Sequence, residues 1–225
     1  DENDERFFDL AKAYSDLANG YTNLIQKLFN EFRHNEYLES ILKEKARIIP
    51  TDEVKKELME ATKKADESYR VIGNIFLDAD MAFQNASYNY QNAGYLKQAV
   101  EAHLNNAEFL LKKESYQIKR DKVYTVARIE CDKAIKIDNK DFSTFLVKGT
   151  TYYSSRQYAK AIPEYEKSVE LNFSQKATHY NIGLCFYYMG EYEKASKAFQ
   201  TVLKLDPKYT SPDDMNSPDA YQILA

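Results

Sequence analysis

The residues best able to carry chemistry in this chain are few and scattered. His34, His103 and His179 fall in neither the His-Glu-x-x-His nor the His-x3-His spacing by which one helix presents two imidazoles to a zinc ion. Cys131 and Cys185 lie far apart, outside any Cys-x-x-Cys pattern, on helix faces expected to be packed; they read as two buried thiols, with a disulfide as the second reading. Carboxylates and lysines alternate at helical surface spacing, as from Glu191 to Lys197, which reads as a solvated face rather than a paired acid and base. Lys112, Lys113, Lys119, Arg120 and Lys122 make a basic run, but Glu114 and Asp121 interrupt it, and it reads as a solvated helix end. No phosphate-cradling glycine loop is present. The expectation is no catalytic group, no metal, no cofactor and no enzyme.

The elements available to position any site are helices. Only 6 Gly and 5 Pro punctuate 225 residues, and 44% hydrophobic content is enough for a sizeable core. The aromatic content rests on 19 Tyr and 12 Phe with no Trp, so phenols that are apolar on their faces and polar at their tips dominate core and surface alike. A net charge of -4 gives no field that gathers nucleic acid or anionic lipid, and no apolar run reaches membrane-spanning length. The chain opens on Asp1, as expected of a processed chain. With the Lys- and Asn-rich composition, this points to an exported or lipid-anchored bacterial cell-envelope protein ahead of a cytoplasmic one.

Internal similarity gives the strongest signal. Gly149 and Gly183 are 34 residues apart, and Tyr158 with Tyr192, Ala161 with Ala195, Tyr165 with Phe199 and Leu171 with Leu205 repeat that offset. Stepping back once more reaches Tyr124, Ala127, Cys131, Ala134 and Ile137, a third and more diverged unit over 108–141, with Ser115 in the glycine position.

These units resemble the tetratricopeptide repeat family, whose motif is W-x2-L-G-x2-Y, then A-x3-F, then P. Here one unit reads His179-x2-Ile182-Gly183-x2-Phe186, Ala195-x3-Phe199 and Pro207, and the preceding one reads Phe145-x2-Lys148-Gly149-x2-Tyr152 and Ala161-x3-Tyr165, with Phe173 where Pro is expected. The resemblance implies an all-α chain of antiparallel helical hairpins forming a right-handed solenoid, with small residues where paired helices approach most closely. It also implies a concave groove lined by first-helix residues: Leu146, Thr150, Tyr153 and Ser154, then Tyr180, Asn181, Leu184, Tyr187 and Tyr188, with Lys112, Tyr116 and Lys119 in the diverged unit. Some members clamp a chaperone's C-terminal carboxylate with Asn and Lys. Val147 and Ala177 occupy two of those positions here, so that reading is rejected.

Upstream, Tyr95 to Ala107 reads as the second helix of a further degenerate hairpin over about 76–107. Thr51 caps a helix that starts at Asp52 and runs through Val54, Leu58, Ala65, Tyr69, Ile72, Phe76 and Phe83. Phe7, Tyr14, Tyr21 and Leu28 recur every seven residues beside Leu10, Leu17 and Leu24, flanked by Ala11, Ala18, Ile25 and Phe32. This wide stripe either packs against helices at 36–49 and 52–75 in an N-terminal bundle or hairpin, or serves as a docking or dimerisation helix. The expected organisation is therefore a long-helix region at 1–75, degenerate hairpins at 76–141, two repeats at 142–207, and a linker with a capping helix, opened by Ser217 and Pro218, at 208–225.

Three functions fit. The first is a non-enzymatic scaffold that holds a peptide or helix of another protein in the tyrosine-rich groove, with the N-terminal helices as a second docking surface. The second is a carrier that encloses an apolar ligand. The third is a structural element that self-associates through the heptad stripe.

Overall fold

The computed structural model describes residues 2–115 and 120–209 and divides into two units, residues 1–95 and 96–225. The expected capping helix, together with Tyr116 and Lys119, lies outside the described residues, as does the side chain of Lys112.

The first unit is a hairpin of two long helices, α1 (Glu2–Ile48) and α2 (Asp52–Asn92). Neither Pro nor Gly interrupts α1 between Gly20 and Pro50, so the separate helix expected at 36–49 is its continuation, and of the expected bundle or hairpin the structure has the hairpin. At 1.5 Å per residue α1 is about 70 Å long. Ala11, Ala18, Ile25 and Phe32 of α1 are buried, as are Ala65, Ile72, Phe76, Ala79 and Phe83 of α2. Thr51 caps α2 as expected, its hydroxyl accepting from the Val54 amide at 3.3 Å above an acidic first turn of Asp52 and Glu53. Nothing in α2 breaks at residue 75, where a domain boundary was expected: Gly73 is tolerated inside the helix, and α2 runs on to a C-terminal turn at Gly94.

The second unit is a row of three hairpins: α3 (Leu96–Ser115) with α4 (Arg120–Ile137), α5 (Phe142–Ser154) with α6 (Tyr158–Leu171), and α7 (Lys176–Tyr188) with α8 (Tyr192–Leu205). Residues 96–107 thus begin the first helix of the diverged unit; they are not the second helix of an additional repeat. The shared core of α3 and α4 accounts for this, since Val100, Leu104, Ala107 and Leu110 pack with Val123, Ala127, Cys131 and Ala134.

One contact recurs in the two regular hairpins. A Cβ built on Gly149 would stand 2.6 Å from Cδ1 of Tyr165, and one built on Gly183 would stand 2.6 Å from Cε1 of Phe199. Each aromatic ring therefore occupies the space that a side chain on the facing helix would need, and both rings are fully buried. The turns repeat as well. Gly190 takes φ +78°, with its amide donating to the Tyr187 carbonyl and the Glu191 amide to that of Phe186. In the preceding hairpin Arg156 holds the same left-handed position at φ 57°, and the Arg156 and Gln157 amides donate to Tyr153 and Tyr152. Arg156 accepts a conformation that glycine adopts without steric cost.

Polar contacts lock neighbouring helices together. Lys148 of α5 meets Asp132 of α4 at 3.1 Å and Glu164 of α6 at 2.9 Å. Burial alone would lower its pKa, but hydrogen bonds to the two carboxylates outweigh that and hold it raised. Between α3 and α4, Nδ1 of His103 lies 2.8 Å from Glu130, which also accepts from Lys133 at 2.6 Å. Burial would raise the Glu130 carboxyl, yet these partners hold it lowered. Two of the three histidines are thereby structural, because Nε2 of His179 donates to the Phe173 carbonyl at 3.0 Å. Among the described residues no cluster could hold a metal ion, and no helix is long and apolar enough to cross a membrane.

Two outcomes follow from this packing. Gly183→Ala, which forces Phe199 to move, lowers stability by about 1–3 kcal/mol, read as a reduced midpoint in urea denaturation followed by circular dichroism. Cys131 and Cys185 are free and buried, and burial pushes both thiols up to about 12; the native protein therefore resists alkylation at mildly alkaline pH and takes up two equivalents only when unfolded, as mass spectrometry would show.

Candidate partner-binding surface

Five tyrosines gather at the turn ends of the two regular hairpins. Tyr153 ends α5, Tyr158 starts α6, Tyr187 and Tyr188 end α7, and Tyr192 starts α8. Their rings form a connected set. Tyr158 and Tyr188 stack at 5.2 Å, and Tyr153 meets Tyr158 edge-on at 5.6 Å. Tyr187 meets Tyr188 at 5.6 Å and Tyr192 at 5.7 Å. Offset and edge-to-face arrangements such as these satisfy the ring quadrupoles and add about 0.5–1.5 kcal/mol per pair beyond area burial.

The cluster has a rooted side and an open side. Tyr153 is half-buried and packs on both neighbouring cores, touching the group around Ile162, Tyr165 and Ile182 and the group around Leu184 and Phe199. Burial, reinforced by the neighbouring Tyr188 hydroxyl, pushes its phenol well above the usual range. Burial likewise raises Tyr158. Tyr188 and Tyr192 are open to solvent at 44% and 62% exposure. With the rooted phenols protonated at neutral pH, they present uncharged aromatic faces and hydroxyl donors.

The groove residues expected from the sequence divide into three groups. Tyr153, Tyr187 and Tyr188 belong to the cluster just described, and Ser154 lies half-buried beside Tyr153. Leu146, Thr150 and Asn181 converge instead on Tyr165. Leu146 packs against the core that contains it, the Tyr165 hydroxyl donates to Thr150 at 3.3 Å, and Asn181 hydrogen-bonds the same phenol. Thr150 also donates to the Leu146 carbonyl at 3.0 Å.

Leu184 is a correction. It is 3% exposed and packs with Tyr180, Ala195, Phe199 and Val202, while Tyr187, one turn further along the same face, packs partly on that core and Tyr188 at the end of α7 is exposed. Tyr180 is buried in the same group, its ring 5.4 Å from Phe199 and 5.7 Å from Tyr209. Sequence reasoning missed Tyr158 and Tyr192 as surface residues. The signal was available, since both recur at the 34-residue interval, but they begin second helices, whereas the groove was drawn on first helices.

Residues 142–175 and 177–209 each match the family described as Tetratricopeptide repeat. These two segments are tetratricopeptide repeats. A repeat of this type is a protein-interaction scaffold, and here the two repeats are the hairpins that carry the tyrosine cluster. A human protein, Intraflagellar transport protein 88 homolog, is 31% identical over 132 residues, which make up 56% of this chain and 15% of that protein. The chain thus spans a small part of the curated relative it matches.

Solved structures of repeat proteins resemble the chain more distantly. MamA 41-end from Desulfovibrio magneticus RS-1 is 20% identical, covering 87% of this chain and 98% of that one, with a TM-score of 0.48. YrrB, described as a TPR protein with an unusual peptide-binding site, is 15% identical over 88% and 95% of the two chains, with a TM-score of 0.46. Scores of this size add nothing to the assignment, which rests on residues 142–209.

Proposed function

We propose that the two repeats bind a segment of another protein on the tyrosine cluster at their turn ends, and that the chain acts by binding rather than by catalysis. The observation that carries this reading is the connected set of five phenols contributed by four helices, with Tyr188 and Tyr192 open and Tyr153 anchored beneath them. An anchored aromatic surface loses little side-chain entropy on binding, and tyrosine offers a large contact area with a hydrogen-bonding tip. The surface suits apolar side chains of an extended or helical segment. The carrier reading needs a tyrosine-lined chamber, whereas the cleft of about 470 Å3 beside α3 and the start of α5 has charged lips that include Lys97, Glu101, Asp138 and Lys140.

The test uses peptides selected from a displayed library against the full chain. Because Tyr153 is part of the core, the informative variant pairs Tyr188→Ala with Tyr192→Ala. It should weaken the selected peptides by about tenfold or more, as expected for loss of aromatic anchors, while the thermal midpoint stays close to wild type. Unchanged affinity would remove the cluster from the binding surface.

The human relative favours a setting for this scaffold. The alignment to it is longer than the two repeats together, so the likeness is not confined to them. We propose on that ground that the chain works in intraflagellar transport, in place of the bacterial cell envelope that its composition suggested. A fluorescently tagged chain in its source cell should enter flagella, and a distribution that never includes them would overturn the setting while leaving the binding surface untouched.

A further inference from the structure

Given the binding role proposed above, we infer that the segment taken up by the tyrosine cluster is a run of prolines in the polyproline II conformation, its carbonyls accepting from phenol hydroxyls. Four of the rings form a row from Tyr158 through Tyr188 and Tyr187 to Tyr192, with consecutive centroids 5.2, 5.6 and 5.7 Å apart. All four are at least partly open to solvent. Polyproline II advances about 3.1 Å per residue, so about six residues cover the row.

The hydrogen-bonding capacity of the row selects the backbone it can hold. The Tyr188 hydroxyl is engaged with that of Tyr153. Those of Tyr158, Tyr187 and Tyr192 have no hydrogen-bond partner among the described residues, and none of the three is sealed from solvent. The turn carbonyls beneath them are already in use, since those of Tyr153 and Tyr187 accept from the Arg156 and Gly190 amides. The row therefore presents uncharged aromatic faces and side-chain donors. A partner helix would arrive with its carbonyls satisfied internally. A partner strand pairs its N–H groups in register only at a sheet edge, and the described residues contain no strand. A proline run brings carbonyls and no N–H, makes no internal hydrogen bond, and is already extended before it binds. Charge adds a preference at one end. Arg156 is exposed, sits at φ 57° where the next hairpin places Gly190, and its charge acts on Tyr158. An arginine held where glycine is free of strain is an outlier that a binding role explains, and it favours an acidic residue beside the proline run.

The experiment titrates the full chain into fluorescent peptides read by anisotropy. The probes are runs of about six prolines preceded or followed by a glutamate, with alanine in place of every proline as the control. At least one proline probe should bind, and its alanine control should bind about tenfold more weakly or less. Tyr158→Phe, Tyr187→Phe and Tyr192→Phe combined keep every ring and remove only the free hydroxyls; they should weaken the better probe by about tenfold with the circular dichroism unchanged. Arg156→Gly, which relaxes the turn, should weaken it by about two- to fivefold without lowering the thermal midpoint. Proline probes that fail to bind, while library-selected peptides of other composition bind and are lost on Tyr188→Ala with Tyr192→Ala, would overturn the proline assignment and leave the binding surface standing. Full binding by the phenylalanine variant, or an alanine control as tight as the proline probe, overturns it as well. If no peptide of either origin responds to Tyr188→Ala with Tyr192→Ala, the binding surface and the proline assignment fall together.

Discussion

Everything in the repeat region depends on how closely the paired helices approach. At Gly149 and Gly183 the approach leaves no room for even a methyl group, because the rings of Tyr165 and Phe199 already fill the space. This single constraint fixes the lateral position of one helix on the other and with it the direction of every other side chain on those helices. The burial of Leu184 against Phe199, with Tyr187 partly covered one turn further along the same face, is a consequence of it.

Successive hairpins are then joined by two kinds of contact. Apolar cores are shared across the boundary: Ile182 and Cys185 of α7 complete the group around Tyr165 of α6. Polar locks are added where burial would otherwise leave a charge stranded, as where Lys148 collects a carboxylate from α4 and another from α6. Tyr153 belongs to the first kind, since it packs on two cores, and it also supports the exposed phenols. The surface is firm because its base is core.

Much of this architecture was legible in the residues. Thr51 marked a helix start and the 34-residue offset a repeat, because each reflects a local steric or hydrogen-bonding need that few residue types meet. What could not be read was set by length and rotation. Nothing in the sequence ended a helix at residue 35 or 75, and the expectation of shorter elements there came from typical helix lengths rather than from a breaker. Leu184 was assigned to a groove by its place in a motif, while its actual face depends on how α7 rolls onto α8. Tyr158 and Tyr192 were visible as repeated residues, but only folding shows that second-helix starts lie beside first-helix ends across the turn.

The glycine and aromatic positions also bear on how such a chain could be rebuilt. In the diverged unit the positions that hold Gly149 and Tyr165 in the next hairpin hold Ser115 and Cys131, so its sequence carries neither half of this contact. The glycine and the ring occur together, in two units, or not at all. A recombination that crossed over inside a turn would join a helix shaped for a ring to one that no longer makes room for it. Hairpins of this protein are therefore interchangeable whole, as cassettes, and single helices are not.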